Sequence, residues 1–379
     1  MTLPGFVGRL SLHPGQAPSV VCQRPMVGAD MMRRLTEGRR ATLLPDLLGT
    51  VFTLCATAQR ATSRRAVRAA FGLPEAKADA ERDALVLALT TAREHLQRLA
   101  LDLPSLVPQP GIAPDPAWVR DAPVMALPQR AGGPAGDALA SAGDALASAA
   151  ASLADWLQRR LLGMPCGRWL DAWHRGGGAW LDDWSRTHEH PFTRWLRSVH
   201  DAATPFVMPC RALDLVGDGE PGWRTLAAGL AADATLAEHP RWQGAPAETG
   251  PWTRHGRAEP VHTLWDRLGA RVADLVVIAL LASERPLACG ALTVAPGEGL
   301  AWSEMSRGLL VHWVRLEDGP LDVARAEVYR VIAPTEWNFH PEGALAHALA
   351  AAGPVQARLA AATLDPCLPF DVNPELRHA

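Results

Sequence analysis

Helical spacing fills most of the first three quarters of the chain, and β-rich alternation is confined to three short late runs. That division most constrains the fold. Leu43 to Ala70 reads as helix interrupted around Gly49. Pro74 opens an amphipathic helix from Glu75 to about Leu101, offering Leu85, Leu87, Leu89, Leu96 and Leu99 for burial. Proline costs little in a first turn, where its missing N–H would have no partner anyway. Gly136–Ala142 and Gly143–Ala149 are identical GDALASA heptads that continue an amphipathic helix to about Leu162. We read this duplication as replication slippage without functional weight. Pro260 to Ala282 is a further helix, and helix returns at Pro341–Ala351 and before Leu364. Ala288–Val294, Leu309–Leu316 and Ala326–Ile332 alternate and predict a small antiparallel sheet. Phe6–Leu12 and Ser19–Cys22, with turn residues between them, predict a hairpin. Residues 104–135 hold many Pro and Gly without a sustained period and read as a surface loop. The expectation is one domain over residues 1–379, α+β and mainly α.

Composition removes several function classes. Nearly half the residues are apolar (48%) and a fifth are charged (20%), as in soluble globular proteins. The net charge is −3 with both signs interspersed and no basic stripe, which argues against nucleic acid. The longest apolar run, Val272–Ala282, contains Asp274 and is followed by Glu284, so it reads as a buried helix rather than a membrane span. The N-terminus has no charged segment followed by an apolar core, so no secretory signal is expected. Cys22, Cys55, Cys166, Cys210, Cys289 and Cys367 are too dispersed for a disulfide framework or a local zinc knuckle. A cytoplasmic location with reduced thiols is the expectation. Trp169/Trp173 and Trp180/Trp184 are each spaced i, i+4 and share helical faces, which suits core packing first and a docking surface second.

Three late segments carry a family signature. They are Glu304-Met305-Ser306-Arg307-Gly308, then Ala333-Pro334-Thr335-Glu336-Trp337-Asn338-Phe339-His340-Pro341, then Asp365-Pro366-Cys367. This series resembles the nickel–iron hydrogenase large subunit, whose E-x-P-R-G, P-[ST]-T-W-N-x-x-P and D-P-C-x-x-C-x-x-H motifs follow in that order. Near the other end, Cys55 falls on the second cysteine of that family's R-x-C-G-x-C-x-x-x-H, with Phe52 in place of the first and Gln59 in place of the histidine. Cys367 falls on the first cysteine of the C-terminal pair, with Phe370 on the second and Asn373 on the histidine. The unbroken A-P-T-E-W-N-F-H-P-E-G of Ala333–Gly343 and the P-A-E-T-G of 246–250 are most similar to the HupK/HoxV hydrogenase expression/formation proteins, which look like degenerate large subunits.

The resemblance implies a hydrogenase large-subunit-like helical bundle with a small antiparallel sheet, in which the chain's ends bring Cys55 close to Cys367. In the family the chain resembles, the nickel–iron centre is held by four soft thiolates, two of them bridging the metals. With two of the four replaced by Phe, no nickel is expected. The implied cargo is an Fe(CN)2(CO) fragment held transiently by Cys55 and Cys367, with the protein a cytoplasmic scaffold or chaperone and not an enzyme. Its implied partners are the hydrogenase large subunit, small chaperones of the HypC type and the HypC–HypD complex. The chain ends soon after Asn373, and the resemblance implies that it lacks the C-terminal extension removed from catalytic large subunits.

Each site residue also has a plainer reading. Buried cysteines behave as small hydrophobes. Arg307 matches the arginine set over the diatomic ligands of iron, and would serve equally as a turn salt bridge. Glu304 would suit the cofactor site or simple solvation. Glu336 and His340 could relay protons or assist the metal, or be hydrogen-bonded structural groups. Glu248 is open between a pocket acid and a partner contact, and Cys22, Cys166, Cys210 and Cys289 read as structural thiols. Two rival functions remain at this stage: a divergent hydrogenase-like redox enzyme, and a metal-free structural interaction protein.

Overall fold

In a computed structural model of the chain, residues 8–23, 29–127, 143–254 and 262–373 are described. The fold is mainly α with two small sheets, the α+β class expected. The N-terminal half runs β1 (Arg9–Leu12), β2 (Val20–Gln23), α1 (Ala29–Thr36), α2 (Leu44–Val51), α3 (Ala56–Ala70), α4 (Lys77–Gln97), α5 (Leu103–Leu106) and α6 (Gly143–Leu157). Then follow α7 (Cys166–Thr187), α8 (Pro191–Ala203), α9 (Leu215–Ala232), α10 (Pro251–Arg254) and α11 (Leu264–Leu281). The last quarter holds β3 (Cys289–Ala295), β4 (Glu298–Met305), β5 (Gly308–Leu316), β6 (Ala326–Ile332), α12 (Pro334–Asn338), α13 (Ala344–Leu349), α14 (Pro354–Leu364) and β7 (Phe370–Val372).

The late sheet has four antiparallel strands in sequential order rather than three. The unforeseen strand is β4, whose GLAWSEM stretch lacks the β-branched residues that mark its neighbours. Helix α3 packs across β3, β4 and β5. The approach is so close that a Cβ at Gly299 would collide with the Ala66 carbonyl and the Ala70 amide, which fixes glycine there. The second sheet joins both ends of the chain: β1 pairs with β2 antiparallel, as the hairpin expectation held, and with β7 in parallel. The break in the 43–70 helix falls at Phe52, not Gly49; a short 3-10 turn, Thr53–Cys55, leads into α3.

Below the sheet, α4, α6, α7 and α14 surround α11, nearly all of which is buried. Trp169, Trp173, Trp184 and Trp195 lie in this core, Trp169 stacked on Trp173 at 6.1 Å and edge-on to Trp184 at 5.5 Å. Those tryptophans are therefore packing residues. The segment read as a surface loop is irregular over 107–127, but it sinks Val107, Trp118, Val119, Val124 and Leu127 into the same core. Residues 128–135 and the first GDALASA heptad lie outside the described residues. Among the described residues, no single helix is long and apolar enough to cross a membrane. None of the six cysteines is in a disulfide.

Candidate functional site

The structure brings Cys55, Cys367 and Arg307 together. Cys55 is buried at the N-terminus of α3, where the break after α2 turns the chain. Cys367 is half-buried just beyond α14. Arg307 occupies the two-residue tip of the β4–β5 hairpin, between the paired residues Met305 and Gly308. Gly308 has φ +127°, and a Cβ there would lie 2.7 Å from the Thr249 side chain, so this hairpin needs glycine to press against the 246–250 segment.

Asp365 explains how Cys367 arrives. It closes α14 in the left-handed region at φ 58°, unusual for a non-glycine residue, and turns the chain away from the helix axis. Its buried carboxylate compensates that strain by pairing with Arg98, with Arg307 at 3.3 Å and with Arg271 at 3.5 Å. Arg307 reaches Glu94 of α4 at 3.0 Å, and Ser306 donates to the same carboxylate. Arg271 donates to the Thr363 carbonyl at 3.1 Å and to His95 Nδ1 at 3.2 Å. His95 Nε2 lies 2.6 Å from Asp274, which Arg254 clamps at 2.9 and 2.6 Å. Burial, then repulsion from Arg98 and Arg307, depresses Arg271 to about 9. Burial, then Arg307, depresses Arg98 to about 10. Arg98, Arg254, Arg271 and Arg307 thus form one buried network, held by carboxylates from α4, α11 and the C-terminal turn.

Each thiol has a polar side chain within reach. Gln59 Nε2 donates to Cys55 Sγ at 3.6 Å. Thr335 Oγ1 lies 3.1 Å from Cys367 Sγ and accepts the Cys367 backbone N–H at 3.2 Å. Burial first and the nearby Cys367 thiol second push Cys55 up to about 12, against the opposing Arg307 guanidinium and Gln59 hydrogen bond. Phe52 and Phe370, at the two replaced cysteine positions, pack against the main core.

Glu304, Glu336 and His340 each accept a backbone N–H. Glu304 accepts from the Ala288 N–H at 3.1 Å and lies near Arg254. Glu336 accepts the Ala333 N–H at 3.0 Å, completing the start of α12. It also lines, with Thr335, Cys22 and His239, a cavity of about 310 Å³. His340 Nδ1 accepts from the Glu342 N–H at 3.1 Å, and its ring meets His239 edge-on at 5.8 Å. Burial, then Arg241, lowers His340 to about 4. Glu248 forms a buried ion pair with Arg267 at 2.8 Å and accepts from Trp252 at 3.1 Å. Its neighbour Thr249 exchanges backbone hydrogen bonds of 2.9 and 2.8 Å with the Asn338 side chain. The 246–250 segment and the 333–343 segment are thereby fastened together.

Sequence reasoning gave no role to Glu94, Asp365 or Thr335. Asp365 and Thr335 stood inside quoted motifs, whereas Glu94 is one acidic residue in an amphipathic helix and nothing local marked it. Among the described residues, no cluster of three or more His, Cys, Asp or Glu side chains could hold a metal ion. The donor set is two sulfurs beside a guanidinium. It suits a soft metal ion that brings most of its own ligands, and does not make a closed four-ligand cage.

This arrangement defines a mainly helical α+β protein in which Cys55 lies near Cys367 and Arg307. No family model matches the chain. It is 38% identical to the hydrogenase expression/formation protein HoxV of Cupriavidus necator, over 97% of this chain and 96% of that protein. It is 31% identical to the hydrogenase expression/formation protein HupK of Rhizobium leguminosarum bv. viciae, over 90% of this chain and 89% of that one. The chain belongs to the HoxV/HupK family of hydrogenase expression/formation proteins. Among solved structures it is similar to the Ni-Fe-Se hydrogenase of D. vulgaris Hildenborough, with 15% identity, 88% of this chain and 90% of that chain covered, and a TM-score of 0.48. The Ni-Fe-Se hydrogenase of Desulfomicrobium baculatum gives 14% identity, 93% and 94% coverage, and a TM-score of 0.47.

Proposed function

We propose that this protein is a non-catalytic scaffold in nickel–iron hydrogenase maturation, carrying an Fe(CN)2(CO) fragment as cargo between Cys55 and Cys367 and delivering it to the hydrogenase large subunit. The observation that carries this reading is the meeting of two thiols from opposite ends of the chain beside Arg307. Family membership supports the maturation role. The diatomic ligands of the fragment complete its iron, so two protein sulfurs suffice. Arg307, braced by Glu94 and Asp365, presents positive charge to a group that becomes anionic once both thiolates bind. Cys55 has to release its proton for binding, which ties loading to pH. The phenyl rings at 52 and 370 remove the sulfurs that a second metal would need. Small chaperones of the HypC type, alone or as a HypC–HypD complex, are the proposed cytoplasmic donors.

Infrared spectroscopy with metal analysis on anaerobically purified protein tests the reading. Iron with cyanide and carbonyl bands and no nickel is the expected result, and the bands disappear in Cys55→Ala or Cys367→Ala. Full bands in both variants, or nickel with hydrogen-dependent dye reduction, would refute it.

A further inference from the structure

We infer that Gln59 and Thr335 are positioning residues that hydrogen-bond the two cysteine sulfurs and so set how firmly the site grips its cargo; this rests on the carrier reading above. Gln59 stands one helical turn after Cys55 on α3 and is 1% exposed. Its Nε2 points at the sulfur, while its Oε1 is buried without a hydrogen-bond partner among the described residues. A residue serving only to pack would be better as leucine or methionine, which strand no oxygen in the interior. The amide is therefore explained by the sulfur it faces.

Thr335 serves the other sulfur. Its oxygen accepts the Cys367 N–H, and Sγ lies 3.1 Å away, where either the hydroxyl or the thiol can donate. A metal-bound thiolate can only accept, so in the loaded state Thr335 donates to it. Each loaded sulfur thus faces a side-chain donor, the first on α3 and the second on α12. A hydrogen bond to a metal-bound sulfur draws electron density from it and weakens its hold on the metal. Donors to the sulfurs therefore tune how strongly the site holds iron, and in a carrier that strength governs release.

The test compares loaded full-length protein with Thr335→Val, Gln59→Leu and Thr335→Ser. Without the donors the sulfurs give more density to iron, so the carbonyl band moves to lower wavenumber and iron passes to a chelator severalfold more slowly. Thr335→Ser keeps the hydroxyl and returns both values toward those of the parent, which separates the hydrogen bond from simple packing. Cobalt(II) added to metal-free protein is a second readout, its thiolate-to-metal absorption moving to lower energy in Thr335→Val and Gln59→Leu. Bands, release rates and absorption unchanged in both variants of a protein that does carry iron overturn this inference alone. A parent protein that binds neither iron fragment nor cobalt through these thiols overturns the carrier reading and this inference with it.

Discussion

Cys55 shows how much a single residue's surroundings matter. The position was legible because it falls within a motif, but its environment was not. A thiol at a helix N-terminus is ordinarily lowered, since the N-terminus favours a thiolate. The structure gives the opposite: burial dominates and raises Cys55 to about 12. At pH 8 a group with that pKa is ionised to about one part in ten thousand. Iodoacetamide at pH 8 is thus expected to label Cys55 at least about a hundredfold more slowly in the native, metal-free protein than in the urea-unfolded chain. Mass spectrometry of the Cys55 peptide over time checks this, and equal rates would remove the buried thiol. Arg307 was also legible from its motif, whereas its partners were not: Glu94 lies 213 residues away in sequence, and nothing local announces a pairing at that distance.

Elements were read well where one period or one turn signal dominates. Helices α3, α4, α6 and α11 and three of the four late strands follow from apolar spacing, whereas α9, with Gly217, Gly219 and Pro221 in its first turns, was not foreseen. Strand β4 escaped because five of its eight residues are Gly, Ala, Ser or Glu, and it is held by pairing on both sides rather than by its own propensity. The 107–127 segment has no period at all, yet Trp118 and Val124 are buried, since a tertiary groove can take single side chains from irregular backbone. The segments with the strongest family signature act here as fasteners. Asn338 exchanges two hydrogen bonds with the Thr249 backbone, and Leu309 N–H, next to the Arg307 hairpin, donates to Thr249 Oγ1 at 2.9 Å. Asn338→Ala strands a buried N–H and a buried C=O together, which costs about 2–4 kcal/mol. Urea unfolding should show that loss with an unchanged slope, and α12 should become more open to hydrogen exchange. A change below about 0.5 kcal/mol would mean that the two segments are not fastened through this side chain.

At the scale of the whole molecule, the buried histidines set the pH range in which the fold holds. His95 is fully buried between Arg271 and Asp274. Arginine can only donate, so His95 Nδ1 accepts and the ring proton sits on Nε2, facing Asp274; the imidazole is neutral. Burial keeps it so, lowering His95 to about 4 despite Asp274. His312, buried beneath the sheet beside Tyr329, is lowered to about 3 by burial. In the unfolded chain both take up a proton near the ordinary value of 6.5. Between pH 6.5 and 4 the unfolded state therefore holds more protons than the folded one, and stability falls as pH falls through that window. Above about pH 7 neither state is protonated at these rings, and this contribution is constant. For His95 alone the loss approaches about 3 kcal/mol by pH 4, and His312 adds a similar amount. The melting temperature should thus be level from pH 8 to 7 and drop steeply from 6.5 to 4.5. His95→Gln lowers it at neutral pH but makes the acid slope shallower, because one proton-linked group is gone. A parallel slope in that variant would mean that His95 is already charged in the folded protein.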